Sequence, residues 1–378
     1  GPVFRPLFDK LKISREKLAW VLDSTSSPVA ILIPFIGWGV YIMGLIQAEF
    51  ENLGVAESDY TTFVRAIPFQ FYAILAIIMI PLVAFTKLDF SQMKKAEMRA
   101  EKENRAADLV QEEIVHEIKN GYCLKHAKPI MVILPIVVVF ATLFGTLAPL
   151  GFPFAKVDGN AFRVALTMGY FFGAAVLMAL ICLFKVMDFN ETFKVYVGGM
   201  KGMTDVAITL ILAWSLGKMI SGLGTAEFIV KFLQDMSFSA SLVPAAVFLF
   251  GAFISFSTGS SWGTFAIMMP LAIPMAHAFG IPFYIAVGAV LSGGLFGDHC
   301  SPISDTTILS STGAGCGLVE HIKTQLPYAA VNGTIAFIAY IITGLTGSEA
   351  ALGFAVIALI VVMAVLNRIS AARLAGKE

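Results

Sequence analysis

The chain has 378 residues, of which 57% are apolar and 14% charged, and its 26 Lys and Arg balance 26 Asp and Glu. Soluble domains carry roughly a quarter charged residues, and one core of this size could not hide so much apolar surface. Zero net charge excludes an electrostatic nucleic-acid binder, and the composition fits a chain with lipid as its solvent.

The first residues, GPVFRPLFDK, show neither an initiating Met nor a signal peptide, and they read as part of a longer or trimmed chain. A spanning helix needs about 20 apolar residues. The pattern predicts spans at 29–48, 65–86, 129–148, 162–184, 204–222, 242–257, 264–279, 283–297, 327–346 and 350–367. Pro34, Pro81, Pro135, Pro270 and Pro274 fall inside them, which membrane helices tolerate when neighbours re-satisfy the freed backbone groups. A β-barrel would instead need short alternating segments.

Basic residues orient these spans. Arg5, Lys10, Lys12, Arg15 and Lys17 precede the first, and Arg368, Arg373 and Lys377 follow the last. The stretch 87–127 is rich in Lys and Arg, whereas 49–64 has Glu49, Glu51, Glu57 and Asp59 with no basic residue. The N-terminus, 87–127 and the tail are therefore expected in the cytoplasm, and the protein in the cytoplasmic (inner) membrane. Residues 87–127 mix charge signs at i,i+4 spacing and read as a solvated connector helix. His116 and Glu117 begin an HExxH pattern that fails at Asn120, so no zinc site is expected there. Between 204 and 320 the parity of crossings does not close, and a re-entrant hairpin is expected, first of all at 242–264. Cys123, Cys182, Cys300 and Cys316 are scattered without metal spacing and read as free thiols.

Two stretches resemble each other. LDSTSSPVAILIPFIGW (22–38) and GDHCSPISDTTILSSTG (297–313) each place Ser-Pro shortly after an Asp. FVRAIPFQFYAILA (63–76) and HIKTQLPYAAVNGTIA (321–336) each place a basic residue before Pro and then a span. The charge rule gives the two copies opposite orientation, the mark of an inverted repeat.

Polar clusters interrupt three apolar runs. The first holds Asp23, Thr25 and Ser27; the second Thr258, Ser260, Ser261 and Trp262; the third Asp298, His299, Ser301, Ser304, Asp305, Thr306 and Thr307. Unwound helix ends expose carbonyls, hydroxyls add neutral oxygens, and hard cations prefer oxygen. An ionisable group in a bilayer costs roughly 3 kcal/mol or more, which argues against idle carboxylates. Burial disfavours the charged carboxylate, so a proton and a cation compete for it. Each hydroxyl has a plainer use, a bond to its own i−4 carbonyl. Asp23 lies either in the membrane or at its interface, and Trp262 is either a gate or a packing aromatic. His299 is a proton relay or a helix-end residue. Asp205, near the end of 204–222, is expected to snorkel, and Lys218 either neutralises a carboxylate or stands in for a cation.

At GDHCSPISDTTILSSTGAGC (297–316), and again at 5–42, 256–274 and 212–230, the chain resembles the NhaC-type sodium/proton antiporter family, within the wider ion-transporter superfamily. The resemblance implies an all-α polytopic membrane protein, an inverted-repeat secondary transporter with discontinuous helices. It also implies that N-terminal helices found in other members precede this stretch. The domains it suggests are 1–86, the end of a first repeat; 87–127, the cytoplasmic connector; 128–346, a second repeat; and 347–378, a final helix and tail. Sodium would exchange for protons without any cofactor, with Asp305 and Asp298 as sodium ligands. A homodimer follows by fold-level analogy. The alternative is a sodium- or proton-coupled organic-acid or amino-acid exchanger on the same scaffold. No GxxxxGK[ST] loop or serine–lysine arrangement suggests an enzyme.

Overall fold

A computed structural model describes residues 1, 4–86, 88–102, 128–152, 159–202, 222–236 and 238–375, with isolated positions between 204 and 219. Asp205, Lys218, His116, Cys123 and most of the expected 204–222 span lie outside the described residues.

Among the described residues the secondary structure is helical. Helices α1 (Arg5–Lys10), α2 (Arg15–Ala30), α3 (Gly37–Leu53), α4 (Asp59–Ala66), α5 (Phe71–Thr86) and α6 (Ser91–Lys102) form the first part. The second comprises α7 (Ile130–Leu147), α8 (Gly159–Leu183) and α9 (Phe189–Gly202). The third comprises α10 (Thr225–Asp235), α11 (Val243–Thr258), α12 (Ser261–Phe279), α13 (Phe283–Cys300), α14 (Asp305–Ala314), α15 (Leu318–Thr346) and α16 (Ala350–Ala375). Among the described residues seven stretches are long and apolar enough to cross a membrane, and an eighth results if the bent pair Asp59–Phe69 and Phe71–Thr86 is one span. The chain is an all-α polytopic membrane protein.

Two expected spans are not continuous helices. The run 29–48 is divided between Ala30 and Gly37, because Pro34 lacks an N–H and biases Ile33 away from helix. The run 65–86 bends by 49° at Gln70, after a single 3₁₀ turn at Ile67–Phe69 that holds Pro68. In the other direction, α15 begins nine residues before 327 and passes through Pro327. The polar segment 23–27 is not unwound either. It lies within α2, where Thr25 Oγ1 donates to Val21 O (2.6 Å) and Ser26 Oγ to Asp23 O (2.9 Å).

The chain divides into two compact units. One is Gly1–Pro34, Leu45–Ala106 and Leu212–Glu378; the other is Phe35–Gly44 and Ala107–Ile211. In the second unit, Gly169 and Gly173 let α8 approach α7, since a Cβ at Gly173 would sit 2.6 Å from Val139 Cγ2. Leu143, Leu147, Ala165 and Leu166 form its core, with Phe35 and Val40 packed against it. Ile133, Val137, Phe171 and Phe172 face outward, as suits a lipid solvent.

In the first unit α13 is the central helix, with Ile285, Val287, Val290 and Leu291 at most 1% exposed. It packs backbone to backbone on α11. A Cβ at Gly293 would lie 2.3 Å from Phe248 O, and one at Gly297 would lie 2.2 Å from Ala252 O. This GxxxG spacing places small residues on one face and brings the helices together without a hydrophobic effect to drive them. Ser255 Oγ seals the contact by donating to Gly294 O at 2.6 Å.

Charge fixes the ends. Arg5 and Arg15 donate to Thr312 O, Gly313 O and Gly315 O at the C-terminus of α14, where the helix dipole favours cations. Lys17 Nζ lies 2.8 Å from Asp89 Oδ2 and 2.9 Å from Glu97 Oε2. Ser14 donates to Glu97 through both its N–H and its hydroxyl, and Arg99 pairs with Glu16. The described part of 87–127 is thus helical, but it is docked rather than solvated all round, with Met93, Ala96 and Ala100 buried.

Gly293→Ala forces its methyl into Phe248 O and is expected to cost about 1–3 kcal/mol by overpacking. Gly353→Ala, where an added Cβ meets nothing within 4 Å inside α16, is expected to gain about 0.5–1 kcal/mol. Melting temperatures of the two variants in detergent check the contrast.

Candidate functional site

The site forms where helices end. Helix α11 stops at Thr258 because Gly259 takes φ +66°, and a Cβ there would also meet Ile303 O at 2.8 Å. Ser260 then caps α12, its hydroxyl accepting from Gly263 N at 3.2 Å. Helix α13 stops at Cys300, and Ser304 caps α14 by accepting from Thr307 N at 3.4 Å. Two of the three polar clusters are therefore true helix breaks. Ser301 ties them together by donating to Phe256 O at 2.9 Å.

Asp298, in the last turn of α13, is 1% exposed. Its Oδ2 accepts from Ser261 Oγ and Thr306 Oγ1, each at 3.4 Å, and Thr306 Oγ1 lies 3.0 Å from Ser304 Oγ. Asp298 Oδ1 is buried without a hydrogen-bond partner among the described residues. One cluster thus gathers the carboxylate of α13 with three hydroxyls, from α12, the first turn of α14 and its cap.

Asp23, 0% exposed, heads a second pocket. Its Oδ2 accepts from Gln325 Nε2 (2.6 Å) and Thr307 Oγ1 (3.2 Å). His321 Nε2 is 3.6 Å from Oδ2, and His299 Nε2 is 3.9 Å from Oδ1. Tyr72 Oη and His299 Nδ1 are 3.1 Å apart, and Gln325 also donates to His299 O at 3.0 Å. Asp23 Oδ1, His299 Nε2 and both His321 ring nitrogens are buried without hydrogen-bond partners among the described residues.

The two pockets share their walls. Asp298 faces one and His299 the other; so do Thr306 and Thr307. Neighbouring side chains on a helix point about 100° apart, so the last turn of α13 and the first turn of α14 serve both sides.

Other expected residues stand elsewhere. Asp305 is exposed at the start of α14, its Oδ1 accepting from Thr306 N at 3.0 Å. Thr25 and Thr258 are exposed and bonded to their own helices. Ser27 is buried, its hydroxyl without a hydrogen-bond partner among the described residues. Trp262 is half-buried. Cys182, Cys300 and Cys316 carry free thiols. Tyr72, His321 and Gln325 were not apparent from the sequence. His321 and Gln325 stand four apart, hence on one helical face, within a stretch whose similarity to 63–76 drew attention to its Lys and Pro instead.

The sequence model of the Na+/H+ antiporter family matches residues 29–345. An uncharacterized protein of Haemophilus influenzae is 35% identical over 97% of this chain and 72% of its own length. The Na(+)/H(+) antiporter NhaC of Alkalihalophilus pseudofirmus is 35% identical over 24% of this chain and 20% of its own. The malate-2H(+)/Na(+)-lactate antiporter of Bacillus subtilis is 31% identical over 33% and 26%. No solved structure matches the chain.

Gln325→Leu removes the shortest bond to Asp23 and is expected to destabilise by about 1.5–3 kcal/mol, the worth of a bond to a charged group. With Asp23→Asn already present the added cost is expected to shrink, because the partner is no longer charged. A double-mutant cycle on detergent melting measures the coupling, and strictly additive costs would refute it.

Proposed function

The chain belongs to the Na+/H+ antiporter family, and from that premise we propose that it exchanges sodium for protons across the cytoplasmic membrane by alternating access. Members of such a family are transporters rather than enzymes. The observation that carries the finer reading is the Asp298 pocket: a buried carboxylate with one oxygen unpartnered among the described residues, set among Ser261, Ser304 and Thr306 at two helix breaks.

The mechanism follows from electrostatics. An unneutralised carboxylate away from water is costly. A proton removes the charge; a sodium ion balances it while the hydroxyls replace part of its water shell. Either state is neutral and can move between the two faces of the membrane, whereas the bare carboxylate is penalised. The pocket therefore carries one cargo at a time, and each return trip takes the other. Asp305, exposed at the start of α14 and within one residue of two of the hydroxyl ligands, serves as the entrance to the pocket. Asp23, with His299, His321 and Gln325, holds α2 against α13, α14 and α15 while the pocket changes access.

Asp298→Asn is expected to abolish sodium-driven proton movement in everted vesicles, and Asp305→Asn to weaken it without abolishing it. Retained exchange in Asp298→Asn would overturn the assignment. Sodium, lithium and malate gradients compared in the same assay separate cation exchange from organic-acid exchange: a response that requires malate would overturn the cation reading.

A further inference from the structure

Asp298 stands in the last turn of α13. The final carbonyls of a helix have no partner within it, and helix ends fray unless something holds them. Two of these carbonyls are met from outside the helix. Ser301 N–H donates to Asp298 O at 3.1 Å, and Gln325 Nε2 donates to His299 O at 3.0 Å.

Tyr72 holds the same turn from another direction. It is the second residue of α5, just past the bend at Gln70. Its backbone N–H belongs to the first turn of α5, where amides lack partners within the helix, and it donates to Ser292 Oγ at 3.4 Å. Its Oη lies 3.1 Å from His299 Nδ1, and the two rings meet edge to face with centroids 5.6 Å apart. Ser292 and His299 are seven residues apart, two turns of one helix, so they share a face. One tyrosine therefore engages α13 at two levels, and the lower level is the residue next to Asp298.

The side-chain bond has one favourable direction. Tyr72 is fully buried, and among the described residues the hydrogen-bond partner of Oη is His299 Nδ1. A buried hydroxyl proton with no acceptor would cost its full desolvation. Oη therefore donates and Nδ1 accepts. The ring proton of a neutral His299 then sits on Nε2, which faces Asp23 Oδ1 at 3.9 Å.

We infer that Tyr72 is a positioning residue for the Asp298 site. Its hydroxyl fixes the tautomer and ring orientation of His299. Through His299 it steadies the last turn of α13, which keeps the Asp298 carboxylate among Ser261, Ser304 and Thr306. The effect on sodium rests on Asp298 being the cargo carboxylate; the tautomer rests on the contacts of Tyr72 alone.

Tyr72→Phe tests this, because it keeps the ring against Phe296 and His299 and deletes only the hydroxyl. In everted vesicles it is expected to raise the sodium concentration for half-maximal exchange about three- to tenfold, the worth of one hydrogen bond, with a maximal rate within about twofold of the wild type. Solid-state NMR of isotope-labelled histidine in the lipid-embedded protein reads the tautomer. His299 is the one histidine that follows an aspartate, so labelled aspartate carbonyls select its signals. The wild type is expected to carry the ring proton on Nε2, and Tyr72→Phe to show both tautomers. A wild-type proton on Nδ1, or half-maximal exchange in Tyr72→Phe at the wild-type sodium concentration, overturns the inference. If Asp298→Asn retains exchange, the cargo assignment falls instead, and the tautomer in Tyr72→Phe still decides whether Tyr72 orients His299: a single unchanged tautomer would overturn it.

Discussion

Helices α13 and α14 meet across Ser301–Ser304, and their shared ends carry Asp298, His299, Thr306 and Thr307. Burying two carboxylates in a lipid-embedded body is the hardest demand this chain meets, because each must find oxygen or nitrogen partners where water is absent. A continuous helix supplies few such partners, since its backbone groups are spent on one another. Interrupting it frees polar groups and lets capping hydroxyls converge. The glycines of α13 follow from the same demand. Only by pressing α13 onto α11 at Gly293 and Gly297 does Ser301 come within reach of Phe256 O, joining the two breaks.

The surroundings of Asp23 show the alternative solution. Its helix continues unbroken through the polar segment, so its partners arrive from other elements: Thr307 from α14, His299 from α13, Gln325 and His321 from α15. That makes α2 dependent on three helices at mid-length and on charge at its start, where Lys17 and Glu16 engage Asp89, Glu97 and Arg99. Any rearrangement that opens the Asp298 pocket must carry Asp23 along or break the bonds from α14 and α15.

Span positions were legible because lipid imposes a length and an apolar composition on anything that crosses it; 264–279 and 350–367, for instance, lie within helices α12 and α16. What composition could not show was where an apolar run turns. Ala30 to Gly37 and the bend at Gln70 keep the hydropathy of a span while a proline redirects the backbone. Of the site, the carboxylates stood out because charge is rare in such a chain. His321, Gln325 and Tyr72 did not, since their importance lies in which distant residues they touch. Asp305 looked equal to Asp298 in sequence. The difference is geometric: one closes α13 inside the bundle, and the other opens α14 at its surface.

The similarity between 22–38 and 297–313 takes on a physical meaning from these contacts. In each stretch an Asp precedes Ser-Pro, and the structure brings the two together, with Asp23 of the first accepting from Thr307 of the second at 3.2 Å. Yet their surroundings have diverged. Asp298 is wrapped in hydroxyls, which can give up a ligand and rotate at little cost. Asp23 has one hydroxyl, that of Thr307, and otherwise two imidazoles and a carboxamide around it, which are larger and buried. A pocket of mobile neutral oxygens can exchange a hydrated ion quickly; one of bulky donors is better at holding a carboxylate still. On the antiport proposed above, this asymmetry favours exchange of cargo at Asp298 and anchorage at Asp23, with two similar motifs dividing the work.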